Sequence, residues 1–445
     1  MPEDKTISNS SEWIFHIDCN SFFVSCERIF RPALWHVPTV VTSNMENLGG
    51  IIVSLSKEAK QIGLKRGDPL FQVKGLIEKN RVAVFTANFD LYHDISQRIM
   101  CVIRESGIVY FVEQYSIDEM FGRIQADSVE DVINKARTVC QMITKATDVP
   151  VSSGCAKTFT LAKVGTWFVK HYAYKDVCAI TPENRERALS LLPIADVWGI
   201  GRKYRRLMEA KHIRTALEFT HLQSGWVRNN MTVIGLRTFR ELLGQPCVDI
   251  SELSQNKSVS TTRTFSRMLK TKDELREAIS NFASSCTRKL RSQHSVCCGV
   301  SVFIMSNPHR EDQMAYGNSN TATFSVPTND TMEIVRAAFA ILDMIFCDGI
   351  LYKRAGVTLI NILSDDAVQQ DLFDKKDRVK SKQLMKTLDK INSKFGEGTV
   401  RMVVQGLDET NWHVRSDKSA RCFTTNIHDI VEVHCTPCTK KRIDK

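Results

Sequence analysis

Two strand-like runs, Val109–Gln114 and Met120–Ile124, are separated only by residues 115–119, and a connection that short permits nothing but a hairpin. Its tip carries Asp118 and Glu119, neighbouring carboxylates that repel each other unless a cation or a tight turn holds them. Taken alone, the stretch Glu113–Arg123 reads as a solvated turn. A third carboxylate, a hundred residues upstream, changes that reading.

The mostly apolar run Trp13–Ile17 predicts a buried strand that ends at Asp18. Asn20 to Phe30 then places Phe22, Phe23, Cys26, Ile29 and Phe30 at helical spacing, with Asn20 or Ser21 available as the cap. Asp18 therefore falls where a core strand gives way to a helix, a rigid position that suits a metal ligand and equally suits a helix cap. Helical spacing resumes at Phe89 with Leu91, Ile95, Ile99 and Val102 and leads into the hairpin. A helix over 129–147, a strand over 149–155 and a helix carrying Leu161-Ala162-Lys163 follow. Strand, helix, hairpin, helix, strand is the order of a ferredoxin-like α+β layer, expected here with its helices on one face of an antiparallel sheet. In that topology the first strand neighbours the hairpin, so Asp18 meets Asp118 and Glu119 with no basic residue expected between them. Hard oxygen donors in an open site favour Mg²⁺, and two such ions would activate a sugar hydroxyl and stabilise a leaving pyrophosphate. The chemistry indicated is phosphoryl or nucleotidyl transfer.

Residues 32–88 read as a small insertion: strands at Pro38–Val41 and Ile51–Ser54, a flexible turn at Asn47–Gly50, and a short helix from Ser56 to Ile62 stopped by Gly63. Lys57, Lys60, Lys65 and Arg66 cluster there, which suits a polyphosphate or an ordinary solvated face. Further on, Val197-Trp198-Gly199-Ile200-Gly201 followed by Arg202, Lys203, Arg205 and Arg206 has the pattern of a helix-hairpin-helix, whose glycines let backbone amides approach a DNA phosphate. Residues 246–257 read as a linker. Six alternating segments over 258–363 form a second βαββαβ layer, whose first edge is basic through Arg263, Arg267, Lys270 and Lys272. Beyond it lie Gln369-Gln370-Asp371-Leu372-Phe373, an anchor peptide of the kind that docks in an apolar groove, an amphipathic helix over 381–395 and a strand-like run, Thr399–Leu407.

The chain's 445 residues exceed what one hydrophobic core serves. Its excess of 60 Lys plus Arg over 50 Asp plus Glu leans toward a polyanionic partner. Fourteen cysteines without a regular framework read as reduced thiols. The terminal Cys435-Thr436-Pro437-Cys438 lacks the second pair that a zinc site needs. No signal peptide or membrane-spanning run is visible, so a cytoplasmic protein is expected.

Taken together, Asp18-Cys19-Asn20-Ser21-Phe22-Phe23, Tyr115-Ser116-Ile117-Asp118-Glu119, Leu161-Ala162-Lys163 and Val197-Trp198-Gly199-Ile200-Gly201 resemble the Y-family of translesion DNA polymerases, and within it the UmuC subfamily of bacterial SOS polymerases. The resemblance implies a multidomain α+β right-hand polymerase: palm (13–31 and 89–175), small fingers (32–88), helix-hairpin-helix thumb (176–245), little finger (258–363) and a C-terminal extension (364–445). It implies error-prone synthesis from dNTPs on a primer-template DNA with two Mg²⁺ ions. Asp18, Asp118, Glu119 and the Cys19 carbonyl become the metal ligands, Phe23 the steric gate against a ribose 2′-hydroxyl, and Ser54, Lys60 and Lys163 the triphosphate contacts. Gly199, Gly201, Arg202, Lys203 and Arg263 become DNA contacts and Gln369, Leu372 and Phe373 a sliding-clamp peptide. The tail points to a UmuD′-like subunit and RecA. Two positions depart from the family: Lys57 stands where many members have a Tyr, and Phe159 where close relatives have a Lys. A non-catalytic DNA-binding scaffold and a nucleotidyl cyclase are the rival classes; the intact carboxylates oppose the first, and a cyclase has no use for a helix-hairpin-helix.

Overall fold

The computed structural model describes residues 12–43, 50–172, 176–249, 257–310, 312–366, 368–369, 371–374, 376–406 and 421–430. Two compact units result, one from residues 1–253 with 416–445 and one from 254–415. Residues 250–256 of the linker expected at 246–257, and the terminal Cys435/Cys438 pair, lie outside the described residues.

The first unit is built on a five-stranded sheet of order β5-β6-β1-β7-β8. Its strands are β1 (Glu12–Cys19), β5 (Val109–Gln114), β6 (Glu119–Gln125), β7 (Val151–Ala156) and β8 (Val177–Ala179). β1 runs antiparallel to both β6 and β7. Its side chains alternate between two cores, because successive strand residues point to opposite faces. Trp13, Phe15 and Ile17 enter one with α4 (Phe89–Glu105) and α5 (Val129–Thr147). Ile14 enters the other with α6 (Phe159–Tyr172). The expectation of helices on one face is thus corrected: a first strand buried on both faces needs cover on both. β8, which the sequence did not reveal, pairs parallel with β7.

Neither expected cap serves α1 (Phe22–Ile29). Ser21 turns left-handed at φ 48° without a side-chain cap bond, and the Asn20 side chain accepts instead from the Ser152 hydroxyl at 2.9 Å. Between α1 and α4 lies a three-stranded sheet of order β3-β2-β4, comprising β2 (Thr39–Thr42), β3 (Ile52–Leu55) and β4 (Ala83–Thr86). It carries α2 (Lys57–Gln61), capped by the Ser56 hydroxyl, and α3 (Leu70–Lys79). α3 and β4 escaped the sequence reading because only Leu70 of the helix is buried and the strand is four residues long. After α6, helices α7 (Pro182–Leu191), α8 (Arg202–Ala210), α9 (Ala216–Thr220) and α10 (Ser224–Leu242) extend the second core. Glu241 of α10 is fully buried and accepts from the Thr160 amide at 2.9 Å, placing a carboxylate at the positive end of α6.

The second unit holds a four-stranded antiparallel sheet of order β11-β10-β12-β9. Its elements are β9 (Ser258–Leu269), α11 (Lys272–Ser292), β10 (Ser295–Ser306), β11 (Gly317–Thr328), α12 (Thr331–Ile345) and β12 (Tyr352–Ser364). α13 (Arg378–Phe395) docks on this unit through charge. Arg291 grips Asp389 with two bonds of 2.6 and 2.7 Å, and Lys376 and Arg378 both bind Glu333, at 2.9 and 2.7 Å. The strand expected at Thr399–Leu407 is not formed over 399–406. Gly396, Gly398 and Gly406 take positive φ, and the Asn392 side chain binds both the amide and the carbonyl of Val400. A short 3-10 turn, Val403–Gln405, results.

Candidate active site

Strand pairing brings the three carboxylates together. Asp18 and Glu119 are register partners across β1 and β6, and the Cys19 amide donates to the Asp118 carbonyl at 2.9 Å. The turn before β6 is tied by Ser116, whose hydroxyl accepts from the amides of Asp118 (3.2 Å) and Glu119 (3.1 Å) and donates to Asp118 Oδ1 (2.6 Å). With the Tyr115 and Ser116 amides donating to the Glu119 carbonyl at 3.1 and 2.9 Å, the turn holds two like charges side by side.

All three acids line one cleft of about 420 Å³. Cys19, Phe23, Ser54, Lys60, Arg66 and Lys170 line it too, so acidic and basic groups share one opening. Phe23 packs parallel on Tyr92, ring centres 4.6 Å apart at 12°, and Phe89 meets it edge-on at 5.7 Å. Lys57 is not among the lining residues.

Burial pushes the Asp18 carboxyl up to about 6, Lys170 opposes the shift, and Glu119 and Asp118 add to it. The expectation that no basic residue stands among the acids is corrected here. Lys170 ion-pairs with Asp18, and Lys163 Nζ lies 3.0 Å from Glu119 Oε2. Lys163, expected at the triphosphate, lines an adjoining cavity of about 230 Å³ that Asp18, Glu119 and Lys170 border as well, together with His16, Trp167 and Trp198. Its ammonium stands 4.6 Å from the Tyr115 ring centre. Lys170 was missed although it follows Lys163 by seven residues, two turns along the same helix face.

A hard divalent cation fits this donor set. Three carboxylates line the cleft, and burial pushes the Cys19 thiol up and keeps it from acting as a thiolate, which leaves hard oxygen donors. Lys163 and Lys170 balance part of the charge of the clustered acids. Among the described residues no three His, Cys, Asp or Glu side chains cage an ion by themselves. Mg²⁺ keeps several waters and takes further oxygens from a substrate, so it does not need a complete protein cage.

Gly199 has φ +88°, and a Cβ there would lie 2.7 Å from Thr238 Oγ1, so the position requires glycine. Gly201 precedes α8, whose first residues, Arg202 and Lys203, are exposed. In the second unit Arg263 is exposed on the edge strand β9. The basic edge is weaker than expected, because Arg267 pairs with Glu274 at 2.7 Å and Lys272 with Asp343 at 2.8 Å. Leu372 and Phe373 are 99% and 86% exposed, beside the exposed chain at Gln369. Among the described residues no helix is long and apolar enough to cross a membrane.

The fold matches solved Y-family DNA polymerases. A chimera of Dbh and Dpo4 aligns with TM-score 0.62 at 19% identity, covering 79% of this chain and 99% of the other. An insertion ternary complex of Dbh DNA polymerase aligns with TM-score 0.54 at 18% identity over the same shares. In sequence, residues 17–166 match the impB/mucB/samB family, 256–372 its C-terminal domain, and 382–433 a domain of unknown function. The protein UmuC of Salmonella typhimurium is 35% identical over 94% of this chain and 99% of its own length, and ImpB of the same species is 34% identical over 93% and 97%. DNA polymerase IV of Bacillus anthracis is 25% identical over 86% and 91%. The chain belongs to the impB/mucB/samB family of UmuC-type Y-family proteins.

Proposed function

We propose that the protein is an error-prone, template-directed DNA polymerase that joins dNTPs to a primer 3′-hydroxyl during lesion bypass in the bacterial SOS response. The observation that carries this is the meeting of Asp18, Asp118 and Glu119 in a cleft whose lining also includes Ser54, Lys60 and Arg66. Asp18, Asp118, Glu119 and the Cys19 carbonyl would hold two Mg²⁺ ions, which when bound supply a more acidic primer hydroxyl and charge neutralisation at the departing pyrophosphate. Ser54, Lys60 and Lys163, joined by Arg66, bind the triphosphate, and Phe23 lies under its sugar and excludes a 2′-hydroxyl. Lys163 faces Glu119 and orients that carboxylate. The amides after Gly199 and Gly201, with Arg202, Lys203 and Arg263, hold the DNA backbone and carry no sequence information. Gln369, Leu372 and Phe373 fit a sliding clamp's apolar groove. The C-terminal module is the place for a UmuD′-like subunit and RecA, and the setting is the cytoplasm.

Primer extension with Mg²⁺ on a template carrying an abasic site tests this. Insertion opposite the site and extension past it are expected. Folded protein that incorporates no dNTP on any primed template, with or without partner proteins, overturns it.

A further inference from the structure

Residues 421–430 fall at the end of the module of unknown function, and they dock within the first unit at a place the polymerase reading leaves without a purpose. The chain passes between the five-stranded and three-stranded sheets twice: from α1, ending at Ile29, to β2, and from β4, ending at Thr86, to α4. The segment touches both crossings, Phe423 the first and Arg421 the second. Its ring stacks on Phe30 at 4.6 Å and 21°. The Arg31 guanidinium stands 5.2 Å from the Phe423 ring centre and 4.8 Å from that of Phe85 at the end of β4. On the second crossing Asn88, the cap of α4, donates to the Arg421 carbonyl at 3.4 Å. The segment is closed on itself by Asp429, which accepts from the Cys422 amide at 3.0 Å and the Asn426 side chain at 3.2 Å.

From Arg31 the contacts continue inward without a gap. Arg31 donates to Glu27 Oε2 at 2.6 Å, and Glu27 is fully buried. Its other oxygen accepts from the Tyr92 hydroxyl at 2.7 Å. Tyr92 is the ring on which Phe23 lies. A buried carboxylate held by one cation and one phenol cannot lose either cheaply, so a shift of Arg31 is passed to Tyr92 rather than absorbed. Phe423 is one of the two rings that hold Arg31 in place.

We infer that residues 421–430 form a strap that positions Phe23 through Arg31, Glu27 and Tyr92, so that the C-terminal module sets discrimination between deoxyribose and ribose triphosphates. The inference rests on the polymerase reading of the cleft. Phe423 is a positioning residue and does not touch substrate.

The test uses the full chain and measures kcat/KM for a dNTP and the matching rNTP. Phe423→Ala lowers the dNTP/rNTP ratio by about five-fold or more while kcat for the dNTP stays within about two-fold, the size expected of coupling through a packed network. Phe423→Tyr, which keeps the stack, retains the ratio. Glu27→Gln lowers it as well, and the double variant is no worse than the poorer single, because both act through one path. An unchanged ratio in Phe423→Ala, a fall in kcat or thermal stability without a change in the ratio, or effects that multiply in the double variant each overturn the strap. Absence of any incorporation by the wild-type chain instead overturns the polymerase reading and takes the strap's role with it.

Discussion

The same string of elements, strand, helix, strand, strand, helix, strand, is folded twice in this protein and arranged in two ways. In the first unit the four strands stand in the order β5-β6-β1-β7, with the first strand directly against the hairpin. In the second they stand as β11-β10-β12-β9, and the first strand is an edge with β12 between it and the hairpin. Only the first order sets the end of the first strand beside the hairpin turn, and there Asp18 meets Glu119 in register. In the second the turn between Ser306 and Gly317 is kept away from β9, and the edge strand carries hydroxyls and Arg263 instead. The chemistry follows from strand order; the element string alone does not specify it.

Breaking the acidic turn has the largest effect. Asp118→Ala lowers primer extension by about 10³-fold or more, because a group acting within a unit takes most of the unit's contribution with it. DNA binding, measured by fluorescence anisotropy, stays close to wild type. Next come two glycines, one within an inner strand of each sheet. A Cβ on Gly154 of β7 would lie 2.0 Å from the Ala162 carbonyl and 2.4 Å from the Thr166 amide, both in α6 backbone. On Gly299 of β10 its nearest neighbour would be the Ala322 carbonyl at 2.9 Å. Both neighbours are backbone, but an approach of 2.0 Å demands a far larger shift than one of 2.9 Å, so Gly154→Ala costs about 3 kcal/mol or more in thermal unfolding and Gly299→Ala distinctly less. Equal costs would show that α6 is not pressed on its sheet as described.

The acids of the second unit titrate instead of catalysing. Burial raises the carboxyls of Asp330 and Glu333, but Lys376 and the neighbouring donors outweigh it, and both end below the usual carboxylate range. A depressed native value gives stability that is complete above the unfolded value and is lost as pH falls through the native one. α13 is thus expected to undock at acid pH, read as rising amide exchange over 378–395 below about pH 4, while exchange in β10 stays slow. The smallest effect falls on Leu372→Ala with Phe373→Ala. Two side chains this exposed contribute nothing to the unit's core, so stability and clamp-independent extension stay unchanged while binding to a sliding clamp weakens.

The sequence made the first sheet legible because its spacing left few choices: a five-residue connection demanded a hairpin, and β1 had to find a partner. The carboxylate site came with it. Strand order in the second sheet could not be read, since both orders bury the same alternating residues of β10 and β12. Neither could the pairing of Lys163 and Lys170 with the acids, because helix α6 was expected on the same face as α4 and α5 and in fact covers the other. Phe423 gave no signal at all: one aromatic in a polar stretch acquires meaning only from Phe30 and Arg31, almost four hundred residues away.

The central claim is that Asp18 and Glu119 form one site because β1 lies against β6. Primer-extension rates of Asp18→Asn, Glu119→Gln and the double variant test it most directly. A double variant no slower than the slower single is predicted, as for residues that act as a unit. Losses that multiply would show two independent groups and contradict the account.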